Sequence, residues 1–122
     1  TVARGRTIYG KPADAADAAR MLRELSGATH RVLTAVAIGE GRRRRDALND
    51  SRVTFASWTP AQIRRYVDSG EPMGKAGAYA IQGGAAAHIV RISGSYTGIM
   101  GLPLYETACL LRAFGVRHAG GL

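Results

Sequence analysis

Two lysines carry the chemistry that residue types alone can indicate. Lys11 lies in YGKP and Lys75 in MGKAG, each directly after a glycine, in a chain that otherwise takes its positive charge from 15 arginines. A lysine ammonium is a compact, strongly hydrated point charge, whereas a guanidinium is a planar fork, so lysine kept at two glycine turns marks positions where the smaller cation is wanted. Lys75 sits at the tip of Gly70 to Gly84, GEPMGKAGAYAIQGG, among five glycines and Pro72. Glycine lets the backbone approach a ligand closely, and Pro72 stiffens the entry. Main-chain N–H groups in such a loop can form an anion-binding nest that, with Lys75, would hold phosphate; an ordinary glycine-rich connection with a solvated lysine has the same composition. On the phosphate reading Lys11 and Lys75 converge on one anion. The apolar run Ala78 to Ile81 then ends in Gln82, whose amide offers one acceptor and two donors, the set that pairs with the adjacent carbonyl and N–H of uracil or thymine.

Acids are scarcer. Chemistry on a bound phosphate at neutral pH would need an activated water, cations on the developing charge and a metal. Asp14 and Asp17 fall at a helix start, and Glu71 beside Pro72 is the remaining base candidate near the loop. Glu106 falls in the first turn of a helix, where it either favours the helix dipole or holds a divalent cation near a phosphate site. His30 has no second ligand at metal spacing and reads as a satisfied histidine; His88 reads as a strand residue.

The elements that must position these residues are legible from periodicity and punctuation. TVARGRTIYG reads as a strand, a turn at Arg4-Gly5 and a second short strand. PADAADAARMLRELSG predicts a helix from about Asp14 to Ser26 with Ala18, Met21, Leu22 and Leu25 inward and Gly27 just past its end. HRVLTAVAIG has two nearly apolar faces and predicts a central strand covered on both sides. GEGRRRRDALND then reads as an exposed, mobile loop tip at Arg42 to Arg45, before SRVTFAS resumes as a strand. WTPAQIRRYVDSG carries the fullest helix signature: Thr59 as N-cap, Pro60 at N1, Gln62 for a capping box, and Gly70 past the end. A strand from Ala87 to Ile92, a polar loop from Gly94 to Gly101, a last helix over LPLYETACLLRAFG with Ala108, Leu111 and Phe114 inward, and a frayed tail RHAGGL complete the chain.

Length and composition bound the whole. The chain's 122 residues suit one domain, and a net charge of +8 attracts anions such as nucleotides, nucleic acid or acidic membrane surfaces. Cys109 is the single cysteine, which excludes an internal disulfide, and neither a signal peptide nor an 18-residue apolar run is present, so the cytoplasm is the default and no membrane partner is expected.

Taken together, GKPADAADAARML, LSGATHRVLTAV, GEPMGKAGAYAIQG, ISGSY and GLPLYET resemble the Maf-type nucleoside triphosphate pyrophosphatases, the septum-formation-inhibitor-like family, in the right order over nearly the whole chain. The resemblance implies an α/β fold with an elongated mixed β-sheet flanked by helices, related to the inosine-triphosphate pyrophosphatase architecture and usually homodimeric. It implies hydrolysis between the α- and β-phosphates of a nucleoside triphosphate, dependent on a divalent metal cation, Mg or Mn. Lys11 matches the family's GKP lysine and Lys75 its KAG lysine, both tied to the phosphates; Gln82 matches the IQG glutamine and Thr1 the threonine of GADT, both tied to base choice and, in that combination, to dTTP and UTP. Two departures stand out. Gly74 occupies the place of an aspartate common before the KAG lysine, and the SxSPRR-type segment and the general-base aspartate of GADT would precede Thr1, so the chain reads as about the C-terminal two-thirds of such a domain. Two further classes stay open on sequence alone: a basic nucleic-acid-binding module built on Arg42 to Arg45 and tyrosines, for which aromatics are sparse and no motif is readable, and a catalytically incomplete structural fragment.

Overall fold

The computed structural model describes residues 1–116. The RHAGGL tail, residues 117–122, lies outside them. Two hairpins supply four of the five strands. The first joins β1, Val2–Arg4, to β2, Thr7–Tyr9, through Gly5 and Arg6; the second joins β3, Thr29–Glu40, to β4, Arg43–Phe55, through Gly41 and Arg42. Both turns place a glycine first, at φ +59 for Gly5 and +61 for Gly41, the arrangement of a two-residue type II′ turn, whose twist matches that of the flanking strands. The first turn is thus Gly5-Arg6, one residue later than Arg4-Gly5.

With β5, Ile89–Ser93, the strands form one sheet in the order β2-β1-β3-β4-β5. Among the described residues every pairing is antiparallel, where the resemblance implied a mixed sheet; the α/β class with flanking helices holds. The two-residue turns admit only that direction for β1 with β2 and for β3 with β4.

The arginine run is strand, not loop. Arg43, Arg44 and Arg45 pair with Glu40, Gly39 and Ile38, so the charged segment continues a 13-residue β4 rather than interrupting it. All three are exposed, but Arg43 is fixed: its guanidinium lies 4.2 Å from the Phe114 ring centroid and donates to the Ala113 carbonyl at 3.2 Å. Alternation along a strand also sends neighbouring arginines to opposite faces, so they make no single basic tip.

Among the described residues four α-helices accompany the sheet: α1, Ala15–Leu25; α2, Pro60–Asp68; α3, Tyr96–Met100; and α4, Leu104–Ala113. The capping signals hold. Asp14 caps α1 by accepting from the Asp17 N–H, and Thr59 and Gln62 close a reciprocal capping box on α2. Ala18, Met21, Leu22 and Leu25 of α1 and Ile63 and Tyr66 of α2 pack with Val2, Val32, Val53, Phe55 and Trp58 into one core.

Coverage of β3 differs from the expectation of two buried faces. His30 and Val32, with their partners Val53 and Ser51, are buried on one face, while Arg31, Arg52 and Asp50 on the other are exposed, with Arg31 and Asp50 paired at 2.6 Å. Apolar alternation in β3 comes largely from alanines, Ala35 and Ala37, which are small enough to stay exposed.

Three further differences lie toward the C-terminus. The Ala87 start gives way to a 3-10 segment, Gly84–His88, and His88 stacks on Trp58 with ring centroids 3.8 Å apart rather than standing in a strand. The Gly94 to Gly101 stretch contains α3, nucleated by Ser95, whose hydroxyl accepts from the Gly98 N–H at 2.9 Å. In α4 the deeply buried residue is Leu110, with Ala108, Leu111 and Phe114 half-buried, and Pro103 is the cap residue itself. Among the described residues no helix is long and apolar enough to cross a membrane.

Candidate active site

The loop after α2 is built as a sequence of glycine bends. Gly70, Gly74 and Gly77 all adopt positive φ, and Lys75 precedes a 3-10 turn at Ala76–Ala78. Ala78 also takes φ +63, the one non-glycine residue among those described in the left-handed region, and it does so fully buried. Such strain persists where surrounding packing holds it and gathers at functional sites.

This loop forms one wall of a cavity of about 250 Å³. Lys75, Ala76, Tyr79, Ala80, Ile81 and Gln82 line that side; Thr1 and Val2 of the first strand region, Val32 and Thr34 of β3, and Ile99, Met100 and Gly101 at the end of α3 close the rest. Three of the four residues singled out in the sequence therefore share one cavity: Thr1, Lys75 and Gln82. Lys11 is exposed and does not line it, but its loop is stitched to the Lys75 loop, since the Gly77 N–H donates to the Gly10 carbonyl at 3.1 Å.

Each wall residue is held differently. Lys75 is half-buried and its Nζ donates to the Glu71 carbonyl at 2.8 Å, so with Gly74 in place of an aspartate the ammonium is oriented by main chain. Thr1 is exposed and its carbonyl accepts from the Leu33 N–H at 2.7 Å, aligning it beside β3. Gln82 is exposed at the cavity mouth, and its side-chain amide makes no hydrogen bond among the described residues. Behind the wall, the buried Tyr79 hydroxyl and His30 Nε2 are 2.6 Å apart. Burial pushes the His30 pKa down from 6.5 to about 4 and the Tyr79 phenol above its usual value, so both stay neutral. His30 is thus the satisfied histidine expected, through one of its two ring nitrogens.

Thr34, Tyr79 and the α3 residues were not legible as site residues. Thr34 donates to the Gly98 carbonyl at 2.7 Å, which joins β3 to α3 across the cavity, and nothing in its strand pattern sets it apart from a core-facing threonine. Glu71 fails as a base: both its carboxylate oxygens accept from the Gly84 N–H, at 3.2 and 3.0 Å, and it does not line the cavity. Glu106 accepts from Asn49 Nδ2 at 3.1 Å, on the sheet side of α4.

The donors that face the cavity are an ammonium, hydroxyls, an amide and main chain. They suit phosphate oxygens and a base edge. They do not make a ligand set for a divalent cation, which needs several carboxylate or carbonyl oxygens, and among the described residues no group of three or more His, Cys, Asp or Glu is disposed to hold one.

Residues 1–114 match the family model described as Maf-like protein. The chain belongs to that family. This Maf-like chain is also 72% identical over 117 residues to the dTTP/UTP pyrophosphatase of Polaromonas sp. (strain JS666), covering 96% of this chain and 58% of that protein. It is similar to the proteins of the same name from Albidiferax ferrireducens, 64% identical over 117 residues, and Cupriavidus pinatubonensis, 62% identical over 117 residues, with the same two coverages in both cases. The chain thus spans 58% of the length of these relatives.

Proposed function

We propose that this Maf-like protein hydrolyses dTTP and UTP between the α- and β-phosphates, releasing a nucleoside monophosphate and pyrophosphate. The observation that carries the reading is the common cavity of Lys75, Gln82 and Thr1, a cation at one part of the wall and a free amide at another. The names of the relatives support the same substrates. Lys75 carries charge to the phosphates, and Lys11 joins it from the loop bonded through Gly10. Gln82 and Thr1 select the base. The amide of Gln82 can give one N–H and take one, and the glycines that follow it leave room for a planar ring.

No carboxylate lines the cavity among the described residues. On this reading the general base is the aspartate that the family motif has immediately ahead of Thr1. A divalent cation, Mg or Mn, enters on the triphosphate, because the cavity residues of this chain do not suit it. The protein acts in the cytoplasm and as a homodimer; apolar side chains left in solvent, Leu48 at 66% and Tyr105 at 76% exposure, support the dimer.

The test is pyrophosphate release from dTTP, UTP, CTP and GTP by the protein carrying its GADT segment, wild type against Gln82→Glu. The glutamate replaces donors by acceptors, so dTTP and UTP hydrolysis should lose roughly 1–3 kcal/mol of transition-state binding, the usual cost of a polar group left unpaired once the base covers it. An unchanged preference would remove Gln82 from base recognition.

A further inference from the structure

We propose that Glu71 is a positioning residue that fixes the span between the charged end of the cavity at Lys75 and the base-reading end at Gln82. The inference rests on the pyrophosphatase reading, because it assigns those two ends to phosphate and base.

Glu71 leaves α2 just past Gly70 and makes two separate attachments. Its main-chain carbonyl accepts from Lys75 Nζ at 2.8 Å, and its carboxylate accepts from the Gly84 N–H through both oxygens. Beside it, the Tyr66 hydroxyl of α2 accepts from the Ala80 N–H at 3.2 Å; burial, with the Glu71 charge nearby, keeps that phenol protonated. Ala80 and Gly84 each stand two residues from Gln82. The Glu71 carboxylate therefore restrains the Gly84 flank of the turn that presents the glutamine while Tyr66 holds the Ala80 flank, and that turn closes on itself with the Gly83 N–H donating to the Ala80 carbonyl at 3.2 Å.

Two further observations separate this role from ordinary loop packing. A Cβ on Gly83 would run into the Glu71 carboxylate, so the glycine is what lets the carboxylate sit against the turn. The carboxylate also faces a different concavity, shared with Gln62, Arg65 and His88, on the side of the turn away from the nucleotide cavity. Glu71 thus acts through Gln82 and Lys75 without touching substrate. Charge-assisted bonds to main-chain N–H groups are about twice as strong as neutral ones, which suits a carboxylate to holding a glycine-rich turn that has little stiffness of its own.

The experiment compares wild type with Glu71→Gln, which keeps the carbonyl bond to Lys75 and removes the charge. Two readouts are taken: the ratio of kcat/KM for dTTP over CTP, and the hydrogen-exchange rate of the Gly84 amide, each alongside the melting temperature. Gly84 should exchange roughly tenfold faster and the dTTP preference should narrow by a similar factor, with the melting transition nearly unchanged. An equal loss on both nucleotides that tracks a falling melting temperature, or an unchanged ratio with Gly84 still protected, overturns the proposal. Should Glu71→Gln fail to fold, Glu71→Asp keeps the charge and withdraws it by one methylene, with the same expected outcomes. If wild type hydrolyses no nucleotide, the pyrophosphatase reading falls by itself; the restraint on the turn is then decided by Gly84 exchange, and retained protection in the variant overturns it.

Discussion

Burial has taken His30 out of the physiological titration range. Its ring is 1% exposed, packed 5.2 Å from Phe55 and bonded to Tyr79, and Nδ1 has no partner among the described residues. Protonation would put a charge and an unpaired donor into the core, which is why its pKa falls from 6.5 to about 4. The sign of the linkage follows. Between these two values the unfolded chain binds a proton that the folded protein refuses, so stability rises with pH through that window, is fully present above 6.5, and is lost as pH falls toward 4. The loss should be on the order of 3 kcal/mol, measured by urea denaturation at pH values across the window. His30→Gln keeps a hydrogen-bonding group toward Tyr79 and does not titrate, so its stability should be flatter there. A variant profile as steep as wild type would show that other groups cause the acid loss.

At the scale of elements, the cavity depends on how closely the Lys75 loop approaches β1. Gly77 sits at φ +74, and a Cβ on it would lie 3.0, 3.1 and 3.2 Å from three side-chain atoms of Val2. Val2 in turn lines the cavity and packs in the core. Gly77→Ala should cost about 2–5 kcal/mol, the left-handed backbone and the overpacking adding. Gly74→Ala is the comparison, since Gly74 has φ +79 but open space around it, and only the backbone cost of about 1 kcal/mol applies. Urea denaturation of the two variants separates the effects. Equal losses would mean that the loop and the strand can part without penalty.

At the scale of the whole molecule, the sheet leaves apolar groups in water. On the open side of β4, Leu48 faces Ala35 across the strand pair, with Asp46 opposite Ala37 and Arg44 opposite Gly39 along the same row. A two-fold contact brings each residue of such a patch against a different residue of its copy, and a row that carries both charge signs can complement itself. Sedimentation velocity should give twice the mass of one chain, and Leu48→Asp should shift it toward the single mass. A protein sedimenting as one chain across the micromolar range would refute the dimer. Three of the arginines are engaged locally: Arg31 pairs with Asp50, Arg20 with Asp17 and Glu24, and Arg43 rests on Phe114.

By itself the sequence determined what a few adjacent residues can encode. Asp14 and Thr59 cap helices through bonds spanning three residues, Ala18 to Leu25 repeat at helical spacing, and the glycines around Lys75 and Gln82 announce a shaped loop; the motifs in that loop carried the family resemblance as well. Tertiary structure decided the rest. Whether Arg43 to Arg45 form a tip or a strand depends on pairing with Ile38 to Glu40 and on Phe114, about seventy positions away, and four adjacent charges give no local hint of either. The cavity joins Thr1, Thr34, Lys75, Gln82 and Met100, which meet because a sheet register and a loop-to-strand contact bring them together. The role of Glu71 was hidden for the same reason. A carboxylate beside a proline reads as a base or a solvated charge until the chain folds back and puts the Gly84 N–H against it, since a hydrogen bond reports on proximity in space and sequence encodes only proximity along the chain.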